Sequence, residues 1–410
     1  MLPSLIRADL TPEDLAPPVG RAARALPSIR AELSSGGARI DEAALIDRIA
    51  ALPEPAPVIA MVHGWRYGPG LGPDCPHETI FAPRASAWEN PRVTSWPRAL
   101  GLCAPGGDGG GGLGIAFGWP ARCDLWTAYA RAARAGAALA RIAALAARAG
   151  RPLHVIAHSM GARLTLSALA RAEPGSFGHI VLLAGAEARG AARAALRSPA
   201  GRSARIVNVV TRENDLFDAG LEWALHMGLS TAIGQGLGAS HRAMRPLPAP
   251  PAGGDRTGAR PADPSDHAAP YDARSRWSGP DPRTRAADAP PDAAPDTAPA
   301  PEQWHDLWLD RPEVLAALAR FGHRIAPPRS RICHWSSYLR PGALPLYRAI
   351  LDGSLPVSAL PRALPARRWS RLWPGVTLPG RAGMAEAHSG NGIPLGASAS
   401  ASGLPAAPQG

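Results

Sequence analysis

The 410-residue chain contains no lysine. All 44 of its basic residues are arginines, and that absence excludes two chemistries at once. A Walker-type phosphate loop lacks its lysine, and a Schiff base to pyridoxal phosphate or to a substrate carbonyl lacks its amine. Cysteine is also scarce. The four present (Cys75, Cys103, Cys123 and Cys333) show no C-x-x-C spacing, so neither a disulfide framework nor a redox pair is expected. Cys75 with His77, or Cys333 with His334, falls short of a spaced four-ligand set, and no metal or other cofactor is expected. No apolar run reaches the ~20 residues needed to span a bilayer. The N-terminal stretch carries Arg7, Asp9, Glu13 and Asp14 instead of a signal-peptide core. These readings make the chain a cytoplasmic protein without a transmembrane segment.

Against 33 acidic residues the arginines leave a formal charge of +11. Arginine is over-used together with Ala, Pro and Gly, so the excess reads as compositional bias, and no nucleic-acid partner is expected. Two segments lack the large apolar side chains that folding requires. Residues 248–301 are mostly Pro, Ala, Asp, Arg and Gly, and their 8 Asp and 6 Arg nearly cancel. Residues 379–410 are mainly Gly, Ser, Ala and Pro. Both are expected to be disordered. The chain then divides into an N-terminal segment (1–40), a first core part (41–247), the insertion (248–301), a last core part (302–378) and the tail (379–410). The basic, Trp-containing segment Pro365–Pro374 is read as packing on the domain, and the Gly-rich run Gly106–Gly114 as a loop.

Short apolar runs recur through the core. They are Pro57–Val62, Leu113–Phe117, Leu153–Ala157, His179–Ala184, Arg205–Val210 and Ser330–His334. Most are nearly continuous in Val, Ile and Leu, as strands buried on both faces of a parallel sheet are. Amphipathic stretches lie between them, at Leu125–Ala149, Gly161–Ala172 and Ala186–Leu196. Strand and helix in alternation predict an α/β fold, a mostly parallel doubly wound sheet flanked by helices.

Catalytic groups in such sheets collect at the carboxyl ends of strands. After Leu153–Ala157 the chain reads His158-Ser159-Met160-Gly161 and turns at once into a helical pattern. Ala157-x-Ser159-x-Gly161 has the form of a nucleophile elbow with Ala at its first small position. Ser230, in Gly228-Leu229-Ser230-Thr231-Ala232, has a similar pattern but no strand before it. A serine nucleophile needs a base and an orienting acid. Asp215, beyond the Arg205–Val210 strand, is the favoured acid, with Glu213 as the alternative; Asp218, the third carboxylate of the loop, is read as charge at the N-terminus of the next helix. His334, at the end of Ser330–His334, is the favoured base over His305 and His323. The oxyanion donors would be the backbone N–H groups of Met160 and of Trp65, the latter in the His63-Gly64-Trp65 loop after Pro57–Val62.

With these pieces in place the chain resembles the α/β-hydrolase superfamily. The resemblance implies a serine hydrolase of the carboxylesterase type, with a catalytic triad cleaving an ester or thioester through an acyl-enzyme. Its partner would be a small-molecule acyl ester, and any lid would come from Leu216–Met244. The alternative is a non-catalytic α/β-hydrolase-like binding module.

Overall fold

The computed structural model describes residues 5–16, 31–84, 93–103, 111–237 and 302–361. The segments 248–301, 365–374 and 379–410, and most of the Gly106–Gly114 run, lie outside the described residues. The described chain forms one nine-stranded sheet, ordered β3-β2-β1-β5-β4-β6-β7-β8-β9. Strands β1 (Leu5–Asp9), β2 (Glu32–Ser35) and β3 (Ala38–Arg39) make one edge. Strands β4 (Val58–Val62), β5 (Leu113–Gly118), β6 (Leu153–His158), β7 (Phe177–Leu183), β8 (Arg205–Val210) and β9 (Trp304–Trp308) complete it. From β1 through β9 every pairing is parallel; β2 and β3 join antiparallel.

The sheet is covered on both faces because its central strands are apolar on both. Val58, Ala60 and Val62 of β4 face one core, and Ile59 and Met61 face the other. The first core is closed by α1 (Glu42–Ala50), α3 (Leu125–Arg148), α4 (Met160–Leu169), α5 (Arg189–Arg197) and α6 (Pro199–Ser203). The second is closed by α2 (Trp96–Ala99), α8 (Pro312–Arg320), α9 (Ser336–Leu339) and α10 (Ala343–Leu351). Helix α3 shows why such a sequence folds as it does. Asp124 caps it by accepting the Thr127 N–H at 2.9 Å, and alanines and leucines of high helix propensity fill its buried side. No helix among the described residues is long and apolar enough to cross a membrane.

One expected strand is a loop. Ser330–His334 pairs with no strand, and the last strand is Trp304–Trp308, with His305 inside it. Only Leu307 of β9 is aliphatic, so the segment does not read as an apolar run. Its polar Asp306 is satisfied in place, accepting from Asn208 Nδ2 at 2.8 Å and from Trp304 Nε1 at 2.7 Å.

Chain order reverses around β4: β5 pairs on one side of it and β6 on the other. Such a switch point opens a crevice at the carboxyl ends of the strands. The residues singled out in the sequence are found at that end.

Candidate active site

Ser159 stands between β6 and α4 with φ 55° and ψ −123°. A non-glycine residue is strained there, and the strain lifts the side chain out of the strand-to-helix corner. The turn is held by its own backbone. Ser159 N–H donates to Leu183 O at 2.9 Å, and Ser159 O accepts from Ala162 N–H at 2.9 Å and Ala186 N–H at 3.0 Å. The motif's small residues follow from the space available. A Cβ on Gly161 would lie 2.8 Å from His63 O and 2.9 Å from Val62 O, and Ala157 is wholly buried.

The serine opens on a cavity of about 320 Å³, whose lining includes Trp65, Leu125, Met160, Leu216, Phe217, Asp218, Leu221 and His334. The structure thus brings Ser159, His334 and the two expected oxyanion residues to one hollow. Met160 is the first residue of α4, and an N–H in a helix's first turn has no intrahelical acceptor. The Trp65 indole is fixed by donation from Nε1 to Cys123 O at 2.9 Å. Just before it, His63 locks the loop: Nδ1 donates to Gly64 O at 2.9 Å, and Nε2 accepts the Trp119 N–H at 3.1 Å. Both ring nitrogens are satisfied only in the neutral form, and burial pushes the His63 pKa down to about 3.

His334 reaches the hollow on a loop and not from a strand end. Glu213 anchors that loop, its Oε1 accepting the Ser330 N–H at 3.2 Å and its backbone oxygen the Cys333 N–H at 2.9 Å. The alternative acid is thus a tether for the loop that carries His334. His158, next to Ser159, donates from Nε2 to the backbone oxygen of His334 at 3.0 Å. The Phe217 ring packs on the imidazole with centroids 4.7 Å apart. Burial, and then the neighbouring His158, holds the His334 pKa well below its ordinary value. The ring is therefore neutral at neutral pH, as a resting general base must be.

The side chain on the imidazole is an amide. His334 Nδ1 lies 2.6 Å from Asn214 Oδ1. The expected acid, Asp215, opens α7 (Asp215–His226), and its carboxylate accepts from Gln235 Nε2 at 3.1 Å and pairs with Arg212 at 3.3 Å. The reason is local. A 3₁₀ turn over Arg212–Asn214 runs straight into α7, which swings successive side chains by about 100°. Asn214 faces the histidine, and Asp215 turns toward the arginine. Asn214 and Gln235 are not legible from the sequence, and Asp218 reads there as charge at a helix N-terminus, although the four-residue spacing of Asn214 and Asp218 is that of neighbours on a helix face.

Ser230 lies in the irregular stretch after α7, as a serine without a preceding strand should. A second cavity, about 530 Å³, lies between β2, β3, α1 and α3. Its lining includes the Arg39–Glu32 and Arg141–Glu42 ion pairs and no serine, threonine or cysteine. No protein-family model matches the chain, and no curated protein or solved structure does either, so the functional reading rests on this geometry.

Proposed function

We propose that the protein is a serine hydrolase of α/β-hydrolase type, cleaving a carboxylic ester or thioester through an acyl-enzyme. The observation that carries the reading is the strained Ser159 turn opening on the hollow that also holds a neutral His334, whose Nδ1 lies 2.6 Å from the acceptor oxygen of Asn214. In this mechanism Ser159 Oγ attacks the acyl carbon as His334 Nε2 takes its proton. The N–H groups of Met160 and Trp65 receive the oxyanion. Collapse expels the alcohol or thiol, which leaves with the proton from His334. Water then repeats the sequence on the acyl-enzyme and releases the acid.

Asn214 would do part of the work usually given to a carboxylate. Its oxygen fixes the imidazole tautomer, but a neutral amide stabilises the imidazolium less than a charge does. Arg212 and Asp215 form a buried ion pair beside the site. The cavity lining is largely apolar and includes no arginine, in a chain whose basic residues are all arginine. That lining favours an uncharged, apolar acyl group.

The test is to trap the intermediate. Incubation with an activated apolar acyl ester, followed by acid quench and peptide mass spectrometry, is expected to show one acyl group on the Ser159 peptide. The same ester bearing a terminal carboxylate should acylate far more slowly. Turnover without any acyl-Ser159, or acylation confined to another residue, would contradict the reading.

A further inference from the structure

Asn214 can hold the imidazole in the reactive tautomer only while its amide oxygen faces His334. An amide left to itself has no preference, since oxygen and nitrogen exchange places by a flip. The structure supplies what chooses. Asn214 Nδ2 donates to Asp218 Oδ1 at 2.8 Å, and Asp218 Oδ2 accepts from Gln235 Nε2 at 2.8 Å. Gln235 is itself oriented, because its Oε1 accepts from Arg212 Nη1 at 3.0 Å and a guanidinium can only donate. All four of these residues are at least 98 % buried, so each takes its orientation from the others.

Resting on the proposed hydrolase reading, we infer that Asp218 is a positioning residue. Its ionised carboxylate fixes the Asn214 amide, and through it the Nδ1–H tautomer that leaves His334 Nε2 free to accept the serine proton. The chain of orientation runs Arg212, Gln235, Asp218, Asn214, His334. A protonated Asp218 must place its new O–H on an acceptor. Gln235 offers an N–H and is locked by Arg212, so of the two amides bonded to Asp218 it is Asn214 that can answer, by flipping. The flipped amide presents N–H to Nδ1, moves the ring proton to Nε2 and blocks the base.

The charged and titratable groups around Asp218 are Arg212 on the turn before α7, Asp215 and Glu222 on α7 itself, and His334 beyond Asn214. The loop carrying Gln235 brings no charge. Burial first, and the Asp215 charge second, push the Asp218 carboxyl up to about 7. The relay therefore switches on as pH rises through neutrality.

Asp218→Asn is the direct test, because an asparagine there has one acceptor oxygen for two incoming N–H groups. Its kcat is expected to fall by between about 10² and 10⁴-fold, the scale of a wrong histidine tautomer, with KM little changed. The double variant Asn214→Asp/Asp218→Asn puts a carboxylate directly on the imidazole and leaves every partner satisfied, so it is expected to recover most of the lost rate. The tautomer itself is read by ¹⁵N NMR of the histidines in the Ser159→Ala background, which needs no turnover. His334 is expected as Nδ1–H above neutral pH, as Nε2–H after Asp218→Asn, and as Nδ1–H again in the double variant. The same spectra of the Asp218-containing protein should change tautomer as pH falls through about 7. An Nδ1–H ring unaffected by pH or by Asp218→Asn would overturn the inference, as would a folded double variant that stays slow and Nε2–H. If the tautomer shifts as described while the wild type acylates no ester, the positioning role stands and the hydrolase reading falls.

Discussion

Gly64 and Ser159 meet so closely that a Cβ on Gly64 would stand 2.7 Å from the Ser159 Cβ. The loop after β4 and the elbow after β6 are thus packed backbone against side chain, with no room for a methyl group. Gly64→Ala must displace the serine, the Trp65 backbone or both. Turnover is expected to drop by about 10²-fold or more, since a small misplacement of reacting groups is costly. Stability should change by only about 1–3 kcal/mol, the usual scale of overpacking. Paired measurements of kcat and chemical denaturation check both halves.

The acid position gives a sharper prediction. Asp215→Asn should leave the rate per folded molecule within about tenfold of wild type, because Asn214 is the group on the imidazole. Its cost should be in stability. Arg212 and Asp215 are both buried, and removing one partner of a buried pair costs about 3–5 kcal/mol. Asn214→Ala should do the reverse, losing rate with a smaller loss of stability. Urea unfolding and active-site-titrated kinetics of the two variants separate them.

How much of this could be read beforehand depends on which force places each residue. The six central parallel strands include five that stand out as apolar runs, because burial on both faces leaves no alternative composition. The elbow at Ser159 was legible because steric contact demands small neighbours. His334 is singled out in the sequence as the end of a strand, but Ser330–His334 is a loop tethered by Glu213, and the last strand among the described residues hides behind tryptophans. The contact of Asn214 with His334 was not legible, and Asp218 read as charge at a helix N-terminus. Which of two adjacent side chains faces the histidine depends on where a 3₁₀ turn becomes an α-helix, a shift of one residue that composition does not encode.

Among the histidines only His334 should be essential. His334→Ala is expected to cost about as much activity as Ser159→Ala, since groups that act as a unit fail as a unit. His305 sits inside β9 and hydrogen-bonds from Nε2 to Pro361 O at 3.2 Å. Its replacement should lower Tm and spare the rate. His323→Ala, just beyond α8, should do neither.

Buried histidines also set the acid limit of the fold. Burial pushes His63 down to about 3 and His154 and His158 down to about 4, so the folded chain binds fewer protons than the unfolded one between those values and ~6.5. Stability should therefore be lost as pH falls below ~6.5. Asp218 acts in the opposite sense: raised to about 7, it stabilises the fold on acidification, but it is one group against these three and the likewise lowered His334 and His226. Urea midpoints between pH ~7 and ~4 should decline, and Asp218→Asn should steepen the decline.

Covalent labelling of the serine tests the central claim most directly. A fluorophosphonate probe phosphonylates an activated serine and leaves ordinary ones alone. Wild-type protein is expected to take up one equivalent, mapped to Ser159. Ser159→Ala should take up none, and His334→Ala should label far more slowly. Folded wild-type protein that stays unlabelled, or that carries the label on another serine, would contradict the account.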